Sequence, residues 1–240
     1  MKILLLGYGK MGKEIERIAL ERGHEIVGRI DVNNQHELEN LQKDSVDVGI
    51  EFSTPASAVG NIKTCLEKGW PVVCGTTGWL EHKKEIEALC ENQKGAFFYA
   101  SNYSIGVNLF FKLNQQLAKL MRGHDYRVDM TEIHHIHKKD APSGTAITLA
   151  EGLLEEIDYM KGWTLVPEKK EGYIPILSER TGEVPGTHVI RYSSAVDTIE
   201  ISHTAHSRQG FAQGAVVAGE WLAGKTGIFG MDDLLKLNDQ

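Results

Sequence analysis

Short apolar runs alternate with helical patterns over roughly the first hundred residues. Residues 2–6, 24–30, 46–52, 71–74 and 97–100 each carry the compact apolar run that is typical of a buried strand. Between the first two runs, Met11, Ile15 and Ile18 recur at helical spacing, and Gly23 ends the helix. Because strands that alternate with helices favour right-handed crossovers, we predict a parallel sheet covered by helices on both faces.

The pattern changes near residue 105, where a second region begins. The elements predicted there are an amphipathic helix marked by Leu109, Leu113, Leu117 and Leu120, a strand at 127–133, a helix from Ser143 to about residue 157, and strands at 173–177, 187–192 and 197–204. In the last strand Ile199 and Ile201 alternate with polar residues, which is typical of a sheet with one buried face. We therefore predict a separate α+β domain. A helical tail over 211–222 and onward to 237 is expected to return to the first domain.

The composition excludes several classes of protein. The chain has 240 residues, a formal net charge of −7 and no basic run, which disfavours binding to nucleic acid. No apolar run approaches the roughly 18 residues of a membrane helix, and the first run is too short for a signal peptide. The cysteines are Cys65, Cys74 and Cys90, an odd number without CxxC spacing, and this favours a reducing, cytoplasmic location over a disulfide framework.

A glycine-rich segment lies between the first predicted strand and the first predicted helix. It consists of Gly7, Tyr8, Gly9, Lys10, Met11 and Gly12 and fits the pattern GxGxxG. Asp31 ends the second predicted strand. Such glycines let a pyrophosphate approach backbone N–H groups at a helix N-terminus, while the acid accepts hydrogen bonds from the adenosine ribose. We predict a dinucleotide site, the alternative being a tight turn without a ligand.

The residue after this acid bears on the choice of cofactor. Val32 stands where a basic residue would contact a 2′-phosphate, so we expect NADH to bind at least as well as NADPH. Lys10 and Arg29 are the two residues whose charge could reverse that preference.

Two polar loops follow the fourth and fifth predicted strands. Their residues are Gly75, Thr76 and Thr77 in the first loop and Ala100, Ser101, Asn102 and Tyr103 in the second. Open α/β sheets bind ligands at the carboxyl ends of their strands, so both loops are candidates for the nicotinamide side of the cofactor. The alternative is ordinary turn chemistry.

A histidine-rich block, EIHHIHKKDAPSGTA, occupies residues 132–146. Ser143 is the expected N-cap of a helix, whose first N–H groups at Gly144 and Thr145 would bind an anion. Lys138 and the histidines could supply cationic donors a few residues upstream, which suits a small substrate that carries carboxylates and a proton donor that works near neutral pH. Since a straight strand would spread these side chains apart, the chain must leave strand geometry at or just after His134.

Two other interpretations of the histidines remain open. They could be ordinary buried or surface residues. They could also bind a metal, because His134 and His137 recur with His203 and His206 as two HxxH pairs. No cysteine lies near and neither pair has HExxH spacing, so we predict no metal. A dinucleotide-sensing regulator and a metal-dependent hydrolase are the corresponding alternative functions.

Together the segments GYGKMG, GTTGW, ASNYSIGVN and EIHHIHKKDAPSGTA resemble the dihydrodipicolinate reductases, the 4-hydroxy-tetrahydrodipicolinate reductases of the diaminopimelate and lysine pathway. The resemblance implies a cyclic dicarboxylate substrate, NADH and/or NADPH as cofactor, and a homotetramer built through the sheet of the second domain. It implies that His134 is the proton donor, that Lys138 is a second one, and that His135, Gly144 and Thr145 bind the substrate carboxylates. The glycine segment, Asp31 and the two polar loops would hold the cofactor.

The predicted fold class is therefore α/β, with a Rossmann-type parallel sheet, an α+β substrate and oligomerisation domain, and a helical return to the first domain. We place the dinucleotide-binding domain at residues 1–104 plus 212–240 and the substrate domain at 105–211.

Overall fold

A computed structural model describes residues 1–207 and 209–237 of the chain. These residues form two compact units, the first made of residues 1–105 and 209–237 and the second of residues 106–207. No helix in this described part of the chain is both long enough and apolar enough to cross a membrane.

The first unit contains a six-stranded sheet in which every pair of neighbours is parallel. Its strands are β1 (Lys2–Leu6), β2 (Glu25–Ile30), β3 (Val48–Glu51), β4 (Val72–Cys74), β5 (Ala96–Tyr99) and β11 (Gly227–Phe229). They lie in the order β11-β5-β4-β3-β1-β2. The parallel sheet predicted from the alternation of strands and helices is confirmed.

Helices cover both faces of this sheet. They are α1 (Lys10–Glu21), α2 (Glu37–Asn40), α3 (Pro55–Glu67), α4 (Lys83–Asn92), α7 (Gln209–Leu222) and α8 (Met231–Leu235). Ile3 and Leu5 of β1 pack in one apolar core with residues of α1 and α7, whereas Leu4 and Leu6 pack in a second core with residues of α3 and α4. Successive side chains of a strand point to opposite faces, so a strand buried on both faces is apolar throughout.

The prediction of a continuous helical tail to residue 237 is wrong. The helix α7 ends at Leu222, and β11 then pairs with β5 as the sixth strand, with Ile228 opposite Phe97. Gly224 and Gly227 both have positive φ angles, +75° and +130°, which interrupt a helix and redirect the chain. A run of three residues is too short to carry a strand pattern of its own.

The second unit packs two helices against one face of a mixed five-stranded sheet. Its elements are α5 (Ile105–Met121), β6 (Arg127–His134), α6 (Gly144–Leu154), β7 (Gly162–Leu165), β8 (Tyr173–Arg180), β9 (Gly186–Ser193) and β10 (Thr198–Ala205). The strand order is β10-β9-β6-β8-β7. Val128, Ile176 and Ile190 form the core with Leu149 of α6. The strand β7 was not predicted.

The apolar face of α5 differs in part from the one marked by its leucines, of which Leu117 packs against the core. Leu109, Leu113 and Leu120 are 48%, 47% and 73% exposed, whereas Phe110 and Ala118 are buried in the core. Both sets recur at helical spacing, so periodicity alone left two faces to choose between.

In β10, Ile201 packs on the core and Ile199 is 38% exposed, because this strand lies at the edge of the sheet.

The contact between α7 and the loop after β5 generates a prediction about stability. A Cβ atom at Gly214 would lie 1.7 Å from the carbonyl oxygen of Tyr103, so the backbone must move to accept it. We expect Gly214→Ala to lower the free energy of unfolding by about 1–3 kcal/mol. Gly60→Ala is the control, since a Cβ there meets nothing within 4 Å and should raise the free energy of unfolding by up to about 1 kcal/mol. Urea unfolding of both variants measures the difference, and equal effects would contradict the prediction.

Candidate active site

The glycine segment leaves β1 in a turn that has no room for a side chain at Gly7 or Gly12. Gly7 has a φ of +95°, and a Cβ atom there would lie 2.1 Å from the carbonyl oxygen of Phe52. A Cβ atom at Gly12, in the first turn of α1, would lie 2.2 Å from the carbonyl oxygen of Gly7. Gly9 is the N-cap of α1 and has open space around its Cα. The open N-terminus of a helix is a suitable position for a phosphate group.

The loops at the carboxyl ends of four neighbouring strands line two adjoining cavities. The first, of about 210 Å³, is lined by Gly7, Tyr8, Gly9, Ile30, Asp31, Val32, Gln35, Phe52, Ser53, Thr54, Ser57 and Asn61. The second, of about 260 Å³, is lined by Met11, Phe52, Ser53, Pro55, Gly75, Thr76 and Thr77. The structure therefore brings the glycine segment, Asp31 and the loop after β4 to one edge of the sheet. Lys10 is exposed and lines neither cavity.

The loop after β5 contributes differently. Tyr103 is fully buried, and its hydroxyl donates a hydrogen bond of 2.7 Å to the carbonyl oxygen of Cys74. Burial raises the pKa of this phenol. Asn102 accepts a hydrogen bond from the backbone N–H of Ser104, Ala100 is buried and Ser101 is exposed. A direct role of this loop in cofactor binding stays a prediction, and the Tyr103 ring serves as packing for Phe52 and Phe98.

The sequence interpretation missed the segment after β3. Phe52 and Ser53 line both cavities, and the buried Glu51 holds the segment in place by accepting a hydrogen bond of 3.1 Å from the Ser53 N–H. The Cys74 thiol donates to the other carboxylate oxygen at 3.2 Å. Burial, with this carboxylate beside it, raises the pKa of the thiol. The sequence did contain one signal of a ligand site here. Ser53 and Thr54 directly follow a predicted buried strand, and open α/β sheets bind ligands at the carboxyl ends of their strands.

In the second unit, β6 ends at His134 and the chain turns at once. The N–H of Lys138 donates to the carbonyl oxygen of His135 at 3.1 Å, which closes the turn. The departure from strand geometry that the sequence required is thus confirmed. His134 is 8% exposed, His135 is half-buried, and the Lys138 ammonium lies 2.9 Å from the carboxylate of Asp140.

His134 rests on a buried carboxylate that the sequence interpretation did not single out. The Nδ1 atom of His134 contacts the carboxylate of Glu132, and Arg180 donates a hydrogen bond of 2.8 Å to the other oxygen of that carboxylate. Burial alone would raise the pKa of Glu132, but the close contact with His134 and the hydrogen bond from Arg180 outweigh it and hold the pKa at about 2. The group therefore remains charged at neutral pH.

The helix α6 begins as the sequence predicted. Ser143 is its N-cap and accepts a hydrogen bond of 3.2 Å from the N–H of Ala146. The N–H groups of Gly144 and Thr145 lie in the first turn, where backbone donors have no partner within the helix. The space around Gly144 is open, so an anion can approach this turn and interact favourably with the helix dipole.

His188 is a second functional candidate that sequence reasoning missed. It is 5% exposed on β9, its Nε2 lies 3.1 Å from the Ser143 hydroxyl oxygen, and its ring centroid lies 5.2 Å from that of His134. Burial lowers the pKa of His188 to about 4, and the nearby His134 adds to the shift. The pattern placed His188 in a strand, but nothing in the sequence related it to His134.

These residues also form a group of potential metal ligands. Donor atoms of Glu132, His134 and His188 lie within 4.8 Å of one another, whereas the HxxH pairs form no such group within the described part of the chain. The Glu132 carboxylate is already shared between an imidazole and a guanidinium. These three residues are therefore better arranged to hold a proton than to bind a metal ion.

The chain is similar along nearly its whole length to proteins of known family. Residues 1–103 and 106–235 match the family models described as the N-terminus and the C-terminus of dihydrodipicolinate reductase. The chain is 53% identical over 98% of its length and 98% of the relative's to a 4-hydroxy-tetrahydrodipicolinate reductase of Christiangramia forsetii. It is 38% identical to the enzyme of the same name from Methanosarcina barkeri, over 87% of this chain and 80% of the relative.

A solved structure has the same fold. It is the dipicolinate-bound dihydrodipicolinate reductase from Paenisporosarcina sp. TG-14, with a TM-score of 0.80 and 24% identity. The match covers 97% of this chain and 99% of the other.

The buried position of His188 predicts a pH dependence of stability. Between pH 6.5 and about 4 the unfolded chain binds a proton at this residue that the folded chain does not, so stability falls as the pH falls through this window. Replacing the titrating group by a neutral amide in His188→Gln should flatten the plot of unfolding free energy against pH there by up to about 1.4 kcal/mol per pH unit. Urea unfolding from pH 7 to pH 4 measures both slopes. Identical slopes for the two proteins would contradict the prediction.

Proposed function

The chain belongs to the dihydrodipicolinate reductase family, and from that premise we propose that His134 and Lys138 supply the protons of its reaction. The chain is an NAD(P)H-dependent oxidoreductase of diaminopimelate and lysine biosynthesis. It reduces 4-hydroxy-tetrahydrodipicolinate, by way of dihydrodipicolinate, to tetrahydrodipicolinate. The observation that carries the proposal is the buried His134 at the end of β6, in the same unit as Lys138 and the open first turn of α6.

The reaction needs a positioned acid for a chemical reason. NAD(P)H, when bound, supplies a hydride to the conjugated imine-bearing ring that forms when the hydroxylated substrate loses water. The ring that has gained a hydride is electron-rich and must take up a proton. A histidine held near this ring is suited to donate it close to neutral pH. Lys138 would deliver a second proton or offset charge on a substrate carboxylate.

The substrate carboxylates find donors in the same unit. We assign them to His135 and to the N–H groups of Gly144 and Thr145, with the dipole of α6 favouring negative charge there. The ion pair between Lys138 and Asp140 is partly exposed, so a substrate carboxylate can compete for the ammonium.

The cofactor is assigned to the first unit. The residues proposed to contact it are Gly7, Tyr8, Gly9, Lys10, Met11, Gly12, Asp31, Gly75, Thr76, Thr77, Ala100, Ser101, Asn102 and Tyr103. Support comes from the tight turn, in which a Cβ atom at Gly7 or Gly12 would collide with a backbone carbonyl oxygen, and from the open N-cap of α1 at Gly9. The domain boundaries proposed for cofactor and substrate are 1–104 plus 212–240 and 105–211.

We propose a homotetramer built through the open face of the second sheet. Leu177 and Val189 flank Thr131 on this face, which is opposite the one that packs on α5 and α6. These three residues form an uncharged row across the middle of the face, and the depletion of charge is typical of the centre of a protein–protein interface. We also propose a cytoplasmic location, which is consistent with three free, buried cysteines.

The cofactor preference is testable by direct binding. Val32 is 77% exposed beside Asp31, and the Arg29 guanidinium is engaged by Glu16, with Nε donating at 3.0 Å. Since no lysine or arginine is among the described residues that line the cavity beside Asp31, the dissociation constant of NADH should be equal to or lower than that of NADPH. Fluorescence titration with both cofactors measures the ratio. A strong preference for NADPH would contradict the prediction and reassign Arg29 or Lys10 to the phosphate.

The role of His134 is testable by turnover. His134→Gln should lower kcat by about 10²- to 10⁴-fold, because a positioned acid is lost, and should leave NADH affinity nearly unchanged. The assay follows the loss of NADH absorbance while a synthase generates the unstable substrate. His137→Gln is the matched control, since His137 is an exposed histidine of the same turn. Wild-type turnover in His134→Gln would remove His134 from the mechanism. If the unaltered protein bound NADH but did not consume it in this assay, a dinucleotide-sensing regulator would be favoured instead.

A further inference from the structure

Glu132 lies directly beneath His134 on the buried face of β6. The two residues are separated by one position in the strand, so their side chains point to the same face. Glu132 is 1% exposed, and its two carboxylate oxygens contact His134 Nδ1 and Arg180 Nη2 respectively. A buried carboxylate is costly unless it is paired, so this arrangement binds the imidazole, the carboxylate and the guanidinium into one unit.

The other nitrogen of His134 has different surroundings. Ile133 pairs with Thr187 across the antiparallel ladder of β6 and β9, which places Gly186 next to His134. A Cβ atom at Gly186 would lie 3.0 Å from His134 Nε2. Residue 186 can therefore lie this close to Nε2 only because it has no side chain.

We propose that Glu132 is a positioning residue that holds a proton on Nδ1 of His134, so that Nε2, on the side of the ring that faces Gly186, is the atom that exchanges a proton with the substrate. The inference rests on the proposed role of His134 and deepens it. A carboxylate on one imidazole nitrogen selects the tautomer, orients the ring and stabilises its charged form. Glu132 does not itself exchange the proton.

Other charged and titratable groups lie on the neighbouring elements. The His188 ring of β9 packs against the ring itself, Arg180 of β8 contacts Glu132, and Lys138 and Asp140 pair in the turn that follows β6. Arg180 also donates to the carbonyl oxygen of Asp140 at 2.6 Å, so it joins the carboxylate to the turn that carries Lys138. Of these groups, Glu132 is the one whose charge lies against Nδ1.

Glu132→Gln tests the inference in the full-length enzyme with NADH. The amide keeps the shape and an acceptor for Arg180 but removes the charge. We expect kcat to fall by about 10- to 100-fold, with the NADH dissociation constant unchanged. The alkaline limb of the kcat profile should move to lower pH, because the charge that favours the protonated ring is gone. Glu132→Asp keeps the charge one methylene further away and should restore the limb in part.

A matched control and a coupling experiment separate this role from a structural one. Glu151→Gln removes the same charge from an exposed position on α6 and should leave the profile in place. In the His134→Gln background, Glu132→Gln should cause no further loss of kcat, since a positioning residue has nothing left to position. Thermal unfolding of each variant establishes that the compared proteins are folded.

Gly186→Ala tests the assignment of Nε2 independently of Glu132. The added methyl group should lower kcat and weaken inhibition by pyridine-2,6-dicarboxylate. Full activity of this variant would overturn the assignment of Nε2. If His134→Gln is inactive but Glu132→Gln keeps the wild-type pH profile, the positioning role is overturned and the proposed function stands. If His134→Gln is fully active, the proposed function itself fails.

Discussion

A charged carboxylate buried under an imidazole is the interaction on which the candidate site depends. Glu132 can remain ionised inside the second unit only because His134 and Arg180 contact its two oxygens. The same contacts fix the end of β6 and, through the hydrogen bond from Arg180 to the Asp140 carbonyl, the turn beyond it. The position of the proposed proton donor is therefore set by an electrostatic requirement of the core as much as by the strand that carries it.

The cofactor side depends on a different constraint, the close approach of backbone to backbone. In the turn after β1, a side chain at Gly7 would collide with the carbonyl group of Phe52, and a side chain at Gly12 would collide with the carbonyl group of Gly7. This packing leaves the N-terminus of α1 open at Gly9. The anion binding proposed there would use unpaired backbone donors rather than charged side chains, which suits a chain with net charge −7.

Much of the architecture could be predicted because local patterns and packing agree. The apolar run of β1 is buried on both faces, and Ser143 caps α6 as its residue type favours. Prediction failed where two solutions satisfied the same pattern, as on α5, or where an element was too short to carry a pattern, as at β7 and β11. The sequence singled out candidate site residues where these are neighbours in the chain, namely from His134 to Thr145, and their roles stay predictions.

The sequence by itself determined the order of the elements, the glycine turn and the histidine block, because each depends on residues close together in the chain. Only the tertiary structure decided that Arg180, His188 and Gly186 lie beside His134 and Glu132. The physical reason is that these three residues come from β8 and β9, whose register against β6 is set by long-range pairing. A single sequence carries no local signal of which side chain a strand will present to its neighbour.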